Sequence, residues 1–105
     1  MANKRRTKQR YSVADKIRYY YIRKTYPARH GYAEGSTKQF YGNGFINAFD
    51  GANLTKDIRK EVGKRQAAAY RSGLLHGRKA VKQYMKNGGK DPKQFKSKVI
   101  DDMFK

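Results

Sequence analysis

Between residues 60 and 86, six cations recur on steps of four and seven: Lys60, Lys64, Arg71, Arg78, Lys82 and Lys86. At about 100° per residue, this spacing gathers them into one stripe along a helix. The opposite side collects Ile58, Val62, Ala69, Tyr70, Gly73, Gly77, Ala80, Val81 and Tyr84. The stretch therefore reads as a helix that starts at Asn53 or Thr55 and stops at Gly88 and Gly89. Gly63 or Gly73 marks where it would divide into two shorter ones.

The charge behind that stripe limits the core. The chain has 26 Lys and Arg against 8 Asp and Glu in 105 residues, a formal charge of +18, and only 17 Leu, Ile, Val and Phe. Such a balance lies near that of disordered chains. Nine tyrosines and five phenylalanines pull the other way, since an apolar side chain contributes roughly 1.5 to 3 kcal/mol when fully buried. We expect an all-α fold, a small domain of three to four helices over residues 12–105. A flexible basic arm, residues 1–11, precedes it with Lys4, Arg5, Arg6, Lys8 and Arg10.

The other helices announce themselves by their ends. Ser12 and Asp15 form an N-cap pair ahead of Val13 to Lys24, where Val13, Ile17, Tyr20 and Tyr21 share helical spacing, and Tyr26 and Pro27 close the segment. Tyr19, Tyr20 and Tyr21 point in directions about 100° apart, so at least one ring stays exposed. Beside Arg18 and Arg23, an outer ring either stacks on a base or covers a neighbouring element. Residues 27–35 read as a loop. Ser36 then caps a helix from Thr37 to Phe49, with Gly51 just past its end. Asp91 and Pro92 open a last helix whose apolar face is Phe95, Val99, Ile100, Met103 and Phe104.

Gly42 and Gly44 sit inside a helix, where each costs roughly 0.5 to 1 kcal/mol relative to Ala. An internal echo suggests what offsets this cost. Tyr41, Gly44, Phe45 and Ala48 repeat the order and spacing of Tyr70, Gly73, Leu74 and Gly77. Small residues four apart form a flat strip on which two helix backbones approach closely. The expectation is a helical hairpin with a Gly/Ala-lined seam and the cationic stripe on its far side.

Catalytic and metal-binding patterns are missing. The sequence has no cysteine, which excludes disulfides, thiolate chemistry and Cys-based zinc sites. His30 and His76 lack partners at metal-ligand spacing. Asp57 and Glu61 fall on one helix face, where they either hold Mg²⁺ or follow the first-turn preference for acids, with Glu61 pairing Arg65. Gly42-Asn43-Gly44 lacks the Lys and Ser or Thr of a phosphate-binding loop. We expect no enzyme activity, no cofactor and no metal. No stretch reaches the roughly 20 apolar residues of a membrane span, and a cytoplasmic protein without membrane binding is expected.

Two stretches, Tyr11 to Tyr21 (YSVADKIRYYY) and His30 to Phe49 (HGYAEGSTKQFYGNGFINAF), resemble small basic bacteriophage proteins of uncharacterised function. The shared pattern places Gly31, Gly35, Ser36 and Lys38 ahead of Tyr41, Gly44 and Phe45, about half the chain in all. It implies a viral accessory protein acting in a bacterial host cell, and it carries no catalytic or binding residue.

A linear run of cations is what a polyphosphate backbone pairs with. Nucleic acid, DNA or RNA, is thus the expected partner. The expected contacts are Lys4, Arg5, Arg6, Lys8 and Arg10 in the arm, Arg18 and Arg23 in the first helix, and the six cations of the stripe. Asn and Gln are not clustered beside those cations, so base-specific readout is not indicated. The tyrosines lean the choice toward single strands. The alternative is an inhibitor of a host defence system, anti-CRISPR-like, that places the same surface on a nucleoprotein complex or its guide RNA.

Overall fold

The computed structural model describes residues 12–25, 36–52 and 62–105, with the side chains of 23–25 left aside. Four helices make up the described chain: α1 (Val13–Thr25), α2 (Thr37–Ala48), α3 (Lys64–Lys86) and α4 (Pro92–Met103). The all-α expectation holds. The arm, the 27–35 loop, His30, Asp57, Glu61 and Lys60 lie outside the described residues, as does the side chain of Arg23.

Each helix begins where a side chain satisfies its free N–H groups. Ser12 Oγ accepts from the Asp15 N–H at 3.1 Å, Ser36 Oγ from the Gln39 N–H at 3.2 Å, and Asp91 Oδ1 from the Lys93 N–H at 3.1 Å, with Pro92 in the first turn. The third helix starts differently. Gly63, extended at φ −63° and ψ 158°, is its N-cap, and the Gly63 N–H donates to Gln66 Oε1 at 2.8 Å. A single rod from Asn53 is thereby corrected: α3 starts at Lys64 after Gly63, one of the two expected break points, and Lys60 does not belong to α3.

The two halves of the echo meet, and glycine is required where they do. A Cβ on Gly44 would collide with the Tyr70 carbonyl oxygen and stand 2.8 Å from the Leu74 nitrogen. One on Gly73 would strike the Tyr41 carbonyl, and one on Gly77 would come within 2.5 Å of the Phe45 oxygen and 2.7 Å of Ala48 Cβ. Backbone thus lies directly on backbone, with dispersion contacts along both helices in place of large side chains. On α3 the seam buries Ala67, Gly73, Leu74, Gly77 and Ala80. Ala67 and Leu74 were not on the apolar side read from the sequence, which centred that side slightly too far round the helix.

Around this pair, Ile17, Phe45, Phe49, Ala80 and Val99 form the core, with Val13, Ala14, Tyr20, Val81, Phe95 and Ile100 packed against it. Tyr84 and Phe95 stack with centroids 4.4 Å apart, and Lys96 Nζ reaches Asp50 Oδ2 at 2.5 Å, so α4 is fastened to both α3 and the turn after α2. Phe104 departs from the expected apolar face. It is 55% exposed and meets Tyr21 edge-on at 5.9 Å.

Gly73→Ala tests the seam. An exposed helix position would gain roughly 0.5 to 1 kcal/mol from this change. Here, overpacking costs about 1 to 3 kcal/mol, so a urea titration should show a lower midpoint; an unchanged or raised midpoint would show that the backbones do not touch.

Candidate nucleic-acid interface

The outer face of α3 follows from the seam. With Gly73, Leu74, Gly77 and Ala80 turned inward, Lys64, Arg71, Arg78, Lys82 and Lys86 all stand exposed, within a band about 80° wide at 100° per residue. Arg65 and Lys79 are exposed beside them, which brings α3 to seven cations with no acid in its sequence. The sequence reading left both out of the stripe: Arg65 was assigned to a pair with Glu61, and Lys79 falls off the steps of four and seven. A projection centred on Leu74 would have found them.

None of these seven cations makes an ion pair with a described residue. Four of the five described carboxylates act elsewhere: Asp15 binds Arg18 at 2.6 Å, Asp50 binds Lys96 at 2.5 Å, Asp102 meets Lys105 at 3.4 Å, and Asp91 caps α4, while Asp101 is exposed on α4. The first turn of α3 holds no acid, and Lys64 and Arg65 occupy it, where the helix dipole disfavours positive charge. Only Lys86, in the last turn, sits where the dipole welcomes it. Such an arrangement favours an anion and not the isolated fold.

Arg18 is not part of this face. Its guanidinium pairs with Asp15 on α1 at 2.6 Å, at the surface. The rings are committed too. Tyr20 packs between Tyr19, Tyr41 and Phe45, Tyr84 stacks on Phe95, and Asn47 Nδ2 donates to Tyr70 Oη at 3.3 Å. Only Tyr19, at 47%, is a largely exposed tyrosine among the described residues, and it belongs to α1.

Besides a shallow depression along Lys64, Ala68, Arg71, Ser72 and Leu75 on its own exposed face, two grooves border α3 among the described residues. One, between α1 and α3, is lined by Lys16, Tyr41, His76, Lys79 and Gln83 among others. Here Tyr41 Oη and His76 Nδ1 share a hydrogen bond across the α2–α3 pair, which gives His76 a structural role. Burial pushes the Tyr41 hydroxyl above its usual value, opposed by a hydrogen bond with Tyr20. The other groove places the exposed Leu75 and Met85 with Ala48, Ala52, Arg78 and Lys82. No described helix is long and apolar enough to cross a membrane, and no group of three or more His, Cys, Asp or Glu gathers among the described residues.

No protein-family model matches the chain, and neither a curated protein nor a solved structure matches it.

The raised Tyr41 value fixes the sign of an alkaline effect. Between the unfolded tyrosine value of about 10 and the higher folded one, the folded state holds more protons, so stability falls as pH rises through that window. Tyr41→Phe should flatten this limb when urea midpoints are compared across it; an equally steep decline in the variant would contradict the burial.

Proposed function

We propose that this is a non-enzymatic nucleic-acid-binding accessory protein, phage-encoded, that grips the phosphate backbone through the outer face of α3. The observation that carries the reading is a set of seven cations on one exposed helix face, none of them ion-paired with a described residue, while four of the five described acids are occupied elsewhere. Counter-ion release from the nucleic acid then supplies much of the affinity. The basic arm, with Lys4, Arg5, Arg6, Lys8 and Arg10, adds further phosphate contacts along the same strand. Together these contacts make binding steeply dependent on salt.

A second reading rests on Leu75 and Met85, which are 48% and 44% exposed beside Arg78 and Lys82. Apolar side chains amid cations suit an acidic protein surface, as an anti-CRISPR-like inhibitor of a nucleoprotein complex would need. Retention of one stoichiometric host protein after nuclease treatment favours this second reading.

With about six to ten phosphate contacts, affinity should fall by about 10³ to 10⁵ between about 50 and 200 mM salt. Replacing Arg78 and Lys82 together by Gln should lower the slope of log K against log salt by about 2. Fluorescence anisotropy measures both, and a slope that is flat in the parent protein or unchanged in the variant would contradict the proposal.

A further inference from the structure

We infer that the partner is double-stranded DNA, with α3 lying in its major groove; this rests on the nucleic-acid reading above. The first support is the fate of the rings. Single-strand binders lay bases on aromatic platforms beside their cations. The exposed face of α3 carries no aromatic ring other than the edge residue His76, whose Nδ1 is engaged by Tyr41. Tyr70 and Tyr84, the tyrosines of this helix, are half-buried and turned toward Asn47 and Phe95. The lean toward single strands drawn from tyrosine content therefore loses its basis on this helix.

The second support is shape. A strand-binding cleft is walled by several elements, whereas the described lining of the shallow depression at Lys64, Ala68, Arg71, Ser72 and Leu75 comes from α3 alone. Its 23 residues extend about 34 Å, close to one full turn of B-form DNA, so the groove curves away and only part of the helix lies in it at once. A helix with its side chains is about 10 to 12 Å across, and the B-form major groove is about 12 Å wide. The A-form groove of double-stranded RNA is deep and narrow and does not admit a helix.

The third support is the distribution of bulk and charge across the face. Arg65 and Arg71 lie about 120° apart around the axis, and Arg78 and Lys79 about 100° apart, so each half of the helix has cations toward both edges. Between the first pair stand Ala68 and Ser72, both exposed, with Leu75 next along. In the first half of the helix these short side chains let the axis sink toward the floor of a groove while Arg65 and Arg71 reach phosphates on either wall, whereas in the second half Lys82 and Lys86 fall between Arg78 and Lys79. Leu75 then faces the floor, where apolar contact with thymine methyl groups is the chemistry available to it.

Three ligands of matched length decide between the possibilities: a DNA duplex of roughly 20 base pairs, about twice the span of α3, an RNA duplex, and a DNA single strand. Anisotropy titrations of the full chain at about 150 mM salt should give a DNA-duplex affinity at least about tenfold above the other two. Ala68→Trp adds bulk at the centre of the face with charge unchanged. It should weaken duplex DNA about tenfold or more and leave single-strand binding within about twofold. Equal or tighter binding to single strands or to the RNA duplex overturns the inference while the phosphate-binding proposal stands. No binding to any of the three overturns both.

Discussion

Everything on the outside of this protein depends on the contact of two helix backbones on its inside. Gly44 rests on the Tyr70 carbonyl, Gly73 on the Tyr41 carbonyl and Gly77 on the Phe45 carbonyl. A chain with so few aliphatic residues cannot build a thick core, and this seam draws α2 and α3 together without one. The intrinsic helix cost of these glycines is offset by dispersion along the whole contact. It also fixes the rotation of α3 about its axis, and that rotation decides which side chains face water.

The rotation turns composition into a surface. A net charge of +18 spread evenly would repel itself and specify little. Seven of the 26 cations lie on α3, and with Asp15, Asp50 and Asp102 bound to Arg18, Lys96 and Lys105 and Asp91 used as a cap, they form the linear array on which the nucleic-acid proposal rests. Folding gains nothing from Lys64 and Arg65 at the positive end of the α3 dipole. Under the nucleic-acid proposal, a phosphate at this end would meet the dipole and both cations together.

Much of this was legible in the sequence because it is local. Ser12, Ser36 and Asp91 mark helix starts through their own side chains, and the echo of Tyr41-Gly44 in Tyr70-Gly73 announces the seam. Gly63, one of the two break points the sequence offers, is where α3 starts because its backbone is extended and tied to Gln66. What was missed depends on tertiary packing. Arg65 and Lys79 join the face, and Ala67 and Leu74 the core, because α2 sets a rotation that a six-residue stripe defines only to within a sector. Phe104 lies at the end of α4, where too little structure remains to cover it.

An NMR titration of isotope-labelled protein with duplex DNA tests the central claim most directly, because it reports the seam and the surface in one sample. The account predicts nuclear Overhauser contacts between Gly44 and Tyr70 and between Gly73 and Tyr41 that persist on binding. It also predicts that shift changes among the described residues concentrate on Lys64, Arg65, Ala68, Arg71, Arg78, Lys79 and Lys82. Missing contacts across the glycines, or shift changes centred on α4 or spread evenly over all four helices, would contradict it.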